Sequence, residues 1–224
     1  MKKTVARSPQ HDTPAVYYPL FVNLRKKRVV VVGGGKVAER KILSLLRTGA
    51  EVTVISPLLT RRIEKERMAG TIRHVRRQYR KGELKEAFLV IAATDSPDIN
   101  EKVSRDAACL VNVVDTPELC NFIVPSVIKR GLLTIAVSTS GVSPALSRSI
   151  RRELEKIYGP EFSAYLKSLR SIRAEAKRTI RDPDKRGACL KALASENMLE
   201  MLRKQGPAKA VRAARDAVRK TNTP

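Results

Sequence analysis

Apolar, β-branched runs alternate with amphipathic stretches through the first half of the chain. The β-branched runs at 28–32, 51–55, 71–75, 88–93 and 110–114 are, in 28–32 and 88–93 most clearly, continuously apolar rather than apolar at every second position, the pattern of strands covered on both faces. Between the first two, the segment 36–47 sets Val37, Ile42, Leu45 and Leu46 on one helical face. Ser96-Pro97 supplies an N-cap and a first-turn proline for a helix over 98–108. Strand and helix therefore alternate as in a doubly wound α/β sheet. Beyond Asp115 the pattern changes: NFIVPSVIKRG and LLTIAVSTSG, meeting at Arg130-Gly131, predict a hairpin or strand pair, followed by a helix from Pro144 to about Tyr158. From Phe162 onward the period is helical, with breaks at Asp182-Pro183 and Gly206-Pro207. The expected organisation is a parallel-sheet domain over 1–114, a small α+β unit over 115–158 and a helical domain over 159–224.

The first strand runs directly into Gly33-Gly34-Gly35-Lys36-Val37-Ala38, which fits GxGxxA. In a strand–turn–helix setting Gly33 makes the tight turn, Gly35 lets the backbone approach a pyrophosphate, and Ala38 allows close helix-to-strand packing. The N-terminus of the following helix then faces the phosphates. This predicts a Rossmann-like dinucleotide site built on Gly33, Gly34, Gly35, Lys36 and Val37. The acid expected on the ribose about 20 residues further on is absent, because the second strand ends in Ser56-Pro57-Leu58. Ser56 or backbone groups there must take its place. Arg61 and Arg62 either read a 2′-phosphate or are solvated helix charges.

Composition adds a partner class. Lys and Arg number 45 against 22 Asp and Glu, a net charge of +23, and 151–224 alone carries 19 basic and 9 acidic residues. Such a field draws in anions; a basic proteome or a hot habitat is the alternative source of the charge. Aromatic residues are 4% and Trp is absent, which leaves few stacking platforms for single-stranded nucleic acid. A polycarboxylate or phosphate ligand fits the charge equally well. The three cysteines lack CxxC spacing and read as reduced thiols, and the two histidines, His11 and His74, have no neighbours at ligand spacing, so no metal site is expected. No apolar run approaches the roughly 20 residues that cross a bilayer, and Met1 to Asp12 lacks the apolar core of a secretion signal. The expected location is the cytoplasm.

The ordered set PLFVNLRKKRVVVVGGGKVAERK, VTVISP, AATDSPDIN, VNVVDTPELCNFIVPSVIKRG and LTIAVSTSGVSPALSRSIRRELE resembles the precorrin-2 dehydrogenase/sirohydrochlorin ferrochelatase family of siroheme biosynthesis, over about residues 17 to 158. The resemblance implies NAD-dependent oxidation of precorrin-2 to sirohydrochlorin, with ferrous iron as a further substrate in some members. It also implies a homodimer with a nucleotide-binding domain, a dimerisation domain and a small helical domain, the substrate lying in the cleft between them. The family's catalytic aspartate falls on Asp115, and Thr94 and Asp95, after the fourth strand, resemble the family's ATD stretch beside the nicotinamide or form a plain helix-entry turn. A tetrapyrrole fringed with carboxylates is a polyanion, which gives the basic charge a use.

Other readings of these residues stay open. Asp115, after the fifth strand, stands where open α/β sheets bind ligands, yet an Asp two residues before Pro117 also caps a turn. Ser138-Thr139-Ser140-Gly141 ahead of the Pro144 helix suits a substrate carboxylate or is an ordinary helix start. Arg148, Arg151 and Arg152 are candidate anchors for substrate acids, or solvated charges. The competing function is a non-enzymatic nucleotide-sensing or nucleic-acid-binding module, marked by salt-sensitive nucleic-acid affinity without tetrapyrrole turnover.

Overall fold

The computed structural model describes residues 16–222, so the basic segment 1–12 and His11 lie outside the described residues. The chain divides into two compact units between Val124 and Pro125.

The first unit holds β1 (Arg28–Val32), α1 (Lys36–Leu46), β2 (Glu51–Ile55), α2 (Arg61–Met68), β3 (Ile72–Val75), β4 (Leu89–Ala92), α3 (Pro97–Asp106) and β5 (Leu110–Val113). Its five strands form an all-parallel sheet of order β3-β2-β1-β4-β5, the expected Rossmann-like arrangement. Both faces are covered, which is why β1 has no polar alternation. Val29 and Val31 pack with Ala38, Ile42 and Leu45 of α1 and Ile63 of α2. Val30 and Val32 face the opposite way and pack with Val103 of α3, Tyr79 and Leu84. Each buried aliphatic side chain of this kind contributes on the order of 1.5–3 kcal/mol. Helix α2 had left no mark in the sequence beyond its charges. Thr60 starts it by accepting from the Ile63 amide at 3.3 Å.

The second unit opens with the antiparallel pair β6 (Ser126–Arg130) and β7 (Leu133–Val137), in a register that sets Arg130 opposite Leu133. Gly131 turns the chain with φ +61°, the left-handed conformation that favours glycine. β6 begins at Ser126 rather than within NFIVP, since Pro125 has no N–H to give a ladder. Helix α4 (Pro144–Ile157) covers the pair, with Ile128 fully buried and Ser147 Oγ 3.4 Å from Ser126 Oγ. Helices α5 (Glu161–Thr179), α6 (Pro183–Ala192), α7 (Glu196–Gln205) and α8 (Pro207–Asn222) enclose a core of Ile172, Ala176, Leu193, Leu202, Ala210 and Ala214. Tyr165 crosses this core and donates its hydroxyl to the Leu193 carbonyl at 2.6 Å. The breaks at Asp182-Pro183 and Gly206-Pro207 are present. A third at Ser195, which caps the Met198 amide, is hidden in a segment that reads as continuous helix. Among the described residues, no helix is long and apolar enough to cross a membrane.

Candidate active site

Because the sheet is all parallel, the C-terminal ends of its strands lie along one edge. There the Gly33 amide donates to Ile55 O at 2.9 Å, the Ala93 amide to Val32 O at 2.8 Å, and the Val114 amide to Ala92 O at 2.9 Å. The glycine turn, the 56–58 segment, Thr94-Asp95 and Asp115 are thereby gathered on this edge. The strand order reverses direction between β1 and β4, where open α/β sheets bind their ligands.

The three glycines are not equivalent. Gly33 has φ +122°, and a Cβ on it would collide with the Ala93 carbonyl. Gly34 is buried against the Leu58 carbonyl, with Ser56 Oγ 2.8 Å from where its Cβ would stand. The sequence motif gave Gly34 no role; here it lets the chain after β2 close over the turn. The Thr60 amide donates to Gly34 O at 3.0 Å and the Thr60 hydroxyl to Glu39 Oε2 at 2.5 Å. Gly35 is the opposite case: it is exposed, and nothing stands within 4 Å of its added Cβ. As the N-cap of α1 it offers no side-chain bond. Helices α2, α3, α4, α6 and α7, in contrast, each begin on a Ser, Thr or Asp that caps them. An uncapped N-terminus beside an open glycine leaves amides and space for a pyrophosphate, so these residues fit a dinucleotide.

The remaining predicted residues are placed as follows. Ser56 is buried and donates its hydroxyl to Leu58 O at 2.7 Å, while Pro57 and Leu58 are exposed beside the turn. His74 Nε2 lies 2.9 Å from Ser56 O. Arg62 pairs loosely with Glu66, at 3.9 Å along α2, and Arg61 is exposed at its start. Thr94 is tied inward: its amide and hydroxyl both donate to Asn100 Oδ1, at 3.3 and 2.8 Å, and Asn100 Nδ2 donates back to Thr94 O at 3.0 Å. Asp95 is exposed beyond it, as are Lys36 and Asp115. Asn100 is a buried positioning residue whose role the motif did not reveal.

Two further groups on this edge escaped the sequence. Lys41 projects from α1 half-buried, and burial holds its ammonium below the usual lysine range, opposed by the nearby charge of Asp115. It has neither Glu nor Asp at helical spacing, so a lysine beside the apolar face of α1 reads as an ordinary surface charge. Cys120 follows a short 3₁₀ turn (Pro117–Leu119) and has its thiol against β5, with burial raising its pKa.

In the second unit Ser138, Thr139, Ser140 and Gly141 form a turn with φ +51° at Ser140 and +85° at Gly141. Its hydroxyls are partly used: Thr139 donates to Ser143 O at 2.9 Å, and Ser138 Oγ accepts from the Ser140 amide at 3.0 Å. Ser143 caps α4 through the Leu146 amide. Arg148 is exposed and folds back on Pro144 O, Arg151 pairs with Glu155 at 2.6 Å, and Arg152 is exposed. Among the described residues, no group of three or more His, Cys, Asp or Glu could hold a metal ion.

The family model described as putative NAD(P)-binding matches residues 20–126, and that of the sirohaem biosynthesis protein central region matches residues 130–157. The chain is 46% identical over 142 residues to the siroheme synthase of Methylobacillus flagellatus, covering 62% of this chain and 30% of that protein. It is 39% identical over 169 residues to that of Azotobacter vinelandii, covering 74% and 36%. The chain thus spans about a third of the length of these curated relatives. Among solved structures, SirC, a precorrin-2 dehydrogenase, superposes with a TM-score of 0.76 at 25% identity, covering 91% of this chain and 100% of that one. Both modules are thus matched in order, and the chain is similar to siroheme synthases over 62–74% of its length and to the precorrin-2 dehydrogenase SirC over 91% of it.

Proposed function

We propose that the protein is an NAD-dependent dehydrogenase that oxidises precorrin-2 to sirohydrochlorin. The observation that carries this reading is the open, uncapped N-terminus of α1 at Gly35, on the same sheet edge as the exposed carboxylate of Asp115. The relatives and the structural neighbour support it.

Gly33, Gly34 and Gly35 with Lys36 and Val37 hold the pyrophosphate, Ser56, Pro57 and Leu58 border the adenosine ribose, and Thr94 and Asp95 border the nicotinamide. A bound nicotinamide dinucleotide supplies the hydride acceptor. Asp115 takes the proton released from the macrocycle; an exposed carboxylate can pass it on to water. Ser138 to Gly141 and Arg148 receive the substrate's carboxylates. The segment 115–158 makes the homodimer: Val127, Leu132, Val142, Leu146 and Ile157 are exposed apolar residues on the hairpin, in the turn before α4 and along α4, a surface suited to a second copy. A sedimentation mass of one chain would contradict that assignment.

NAD rather than NADP is the expected cofactor, because the family resemblance implies NAD, while Arg61 and Arg62 are exposed on α2 and Arg62 pairs only loosely with Glu66. Turnover of precorrin-2 with each cofactor tests the reading. A clear preference for NADP would make Arg61 a reader of the 2′-phosphate, and no turnover with either would remove the activity. Ferrous iron added afterwards shows whether the same protein also loads the macrocycle.

The charge of +23 makes a second expectation. A polyanion held by several Lys and Arg binds less tightly as salt shortens the reach of each charge, so the KM for precorrin-2 rises with ionic strength. A flat KM together with tight duplex DNA binding at physiological salt would favour a nucleic-acid-binding module.

A further inference from the structure

Asp115 has a backbone that needs outside support. Its φ of +59° lies in the left-handed region, which an aspartate tolerates better than most residues but does not prefer. Its carboxylate makes no hydrogen bond or ion pair among the described residues, so neighbouring groups must hold the turn.

One of them is the thiol of Cys120. Its Sγ stands 3.1 Å from the Val113 amide and 3.2 Å from the Val113 carbonyl, before Asp115, and 3.3 Å from the Thr116 carbonyl, after it. Asn112 Nδ2 approaches the same sulfur at 3.5 Å and donates to Phe122 O at 3.2 Å. The sulfur can accept from the amides while its single S–H serves either carbonyl. Next to it, Asn121 accepts from the Val111 amide at 2.7 Å through Oδ1 and gives its own amide to Val111 O at 3.1 Å. The segment after the 3₁₀ turn therefore runs back along the open edge of β5. Across Asp115 the Thr116 amide meets Val113 O and the Thr116 hydroxyl meets Val114 O, each at a long 3.4 Å, and Cys120 adds from outside the turn a side chain that reaches both sides, at 3.1 and 3.3 Å.

We infer that Cys120 is a positioning residue for the reaction: its thiol ties Val113 to Thr116 and so fixes where the Asp115 carboxylate stands. This rests on the proposed role of Asp115. Sulfur suits the task because one atom meets a donor and two acceptors at longer range than an oxygen. An alanine would take the sulfur from the Val113 amide and leave the Val113 and Thr116 carbonyls only the Thr116 and Leu119 amides, at 3.4 and 3.1 Å, which loosens the turn.

The test compares Cys120→Ala, Cys120→Ser, Asp115→Asn and the double variant Cys120→Ala with Asp115→Asn, each assayed for kcat, KM and NAD affinity. Loss of orientation is expected to cost Cys120→Ala about 10- to 100-fold in kcat, with KM and NAD affinity unchanged. Cys120→Ser, which can still bond, recovers most of the rate. In the double variant the alanine adds nothing to the loss from Asp115→Asn, because both changes remove the same function. A Cys120→Ala enzyme with normal kcat, a lower melting temperature alone, or a loss that multiplies with that of Asp115→Asn would overturn the inference. Normal turnover by Asp115→Asn would remove the catalytic reading itself, and with it this role for Cys120. If Cys120→Ala does not fold, Cys120→Val fills the space without bonding and takes its place.

Discussion

Replacing Asp115 by Asn is expected to lower the turnover of precorrin-2 by about 100- to 10,000-fold, the usual worth of a positioned general base. The amide keeps the shape of the side chain and, like the acid, accepts the left-handed backbone at this position. What it loses is the ability to take a proton. NAD affinity should change little, since Gly33 to Val37 and the 56–58 segment, not Asp115, are assigned to the cofactor. If the same carboxylate handles protons leaving the ring nitrogens, iron insertion falls with it. A folded Asp115→Asn protein that binds both ligands and oxidises precorrin-2 at the normal rate would reduce the residue to a turn former before Pro117.

Gly35→Val is expected to abolish NAD binding and leave the fold intact. The two halves of this expectation come from different observations. Among the described residues, nothing beyond its chain neighbours stands within 4 Å of the added Cβ, and the Gly35 backbone, at φ −81°, is open to any residue, so the fold tolerates the side chain. The same open space is where the pyrophosphate must approach the amides of α1, and a branched side chain there excludes it. Calorimetric titration with NAD, alongside a thermal melt, separates the two. Unchanged NAD affinity would remove the glycine turn from the site, and a collapsed fold would show that Gly35, like Gly34, serves packing.

The central strands were legible because burial on both faces turns them into nearly continuous apolar runs; Val29 to Val32 show this most plainly, with two side chains in each core layer, whereas edge strand β3 carries Arg73 and His74. Gly35 and the N-cap at Ser96 were legible because their chemistry is local. Gly34 was not, since its constraint is the Leu58 carbonyl brought in from the end of β2. Asn100, Lys41 and Cys120 escaped for the same reason. Each acts on a group that only the tertiary structure sets beside it: the turn at Thr94, the charge of Asp115, the edge of β5. Ser195 was missed because a lone serine inside a helical pattern gives no sign that the chain stops and restarts there. The catalytic role of Asp115 came from family resemblance, with its place after the fifth strand as the one local sign, since a VDTP sequence is otherwise a turn.

The most direct test is a single reaction of the purified protein with precorrin-2 and NAD, following NADH and the absorbance of sirohydrochlorin together. Oxidation removes a hydride and a proton from the macrocycle, so one NADH should appear for every sirohydrochlorin formed. Sirohydrochlorin formed no faster than in the protein-free control, or formed without NADH, would contradict the account.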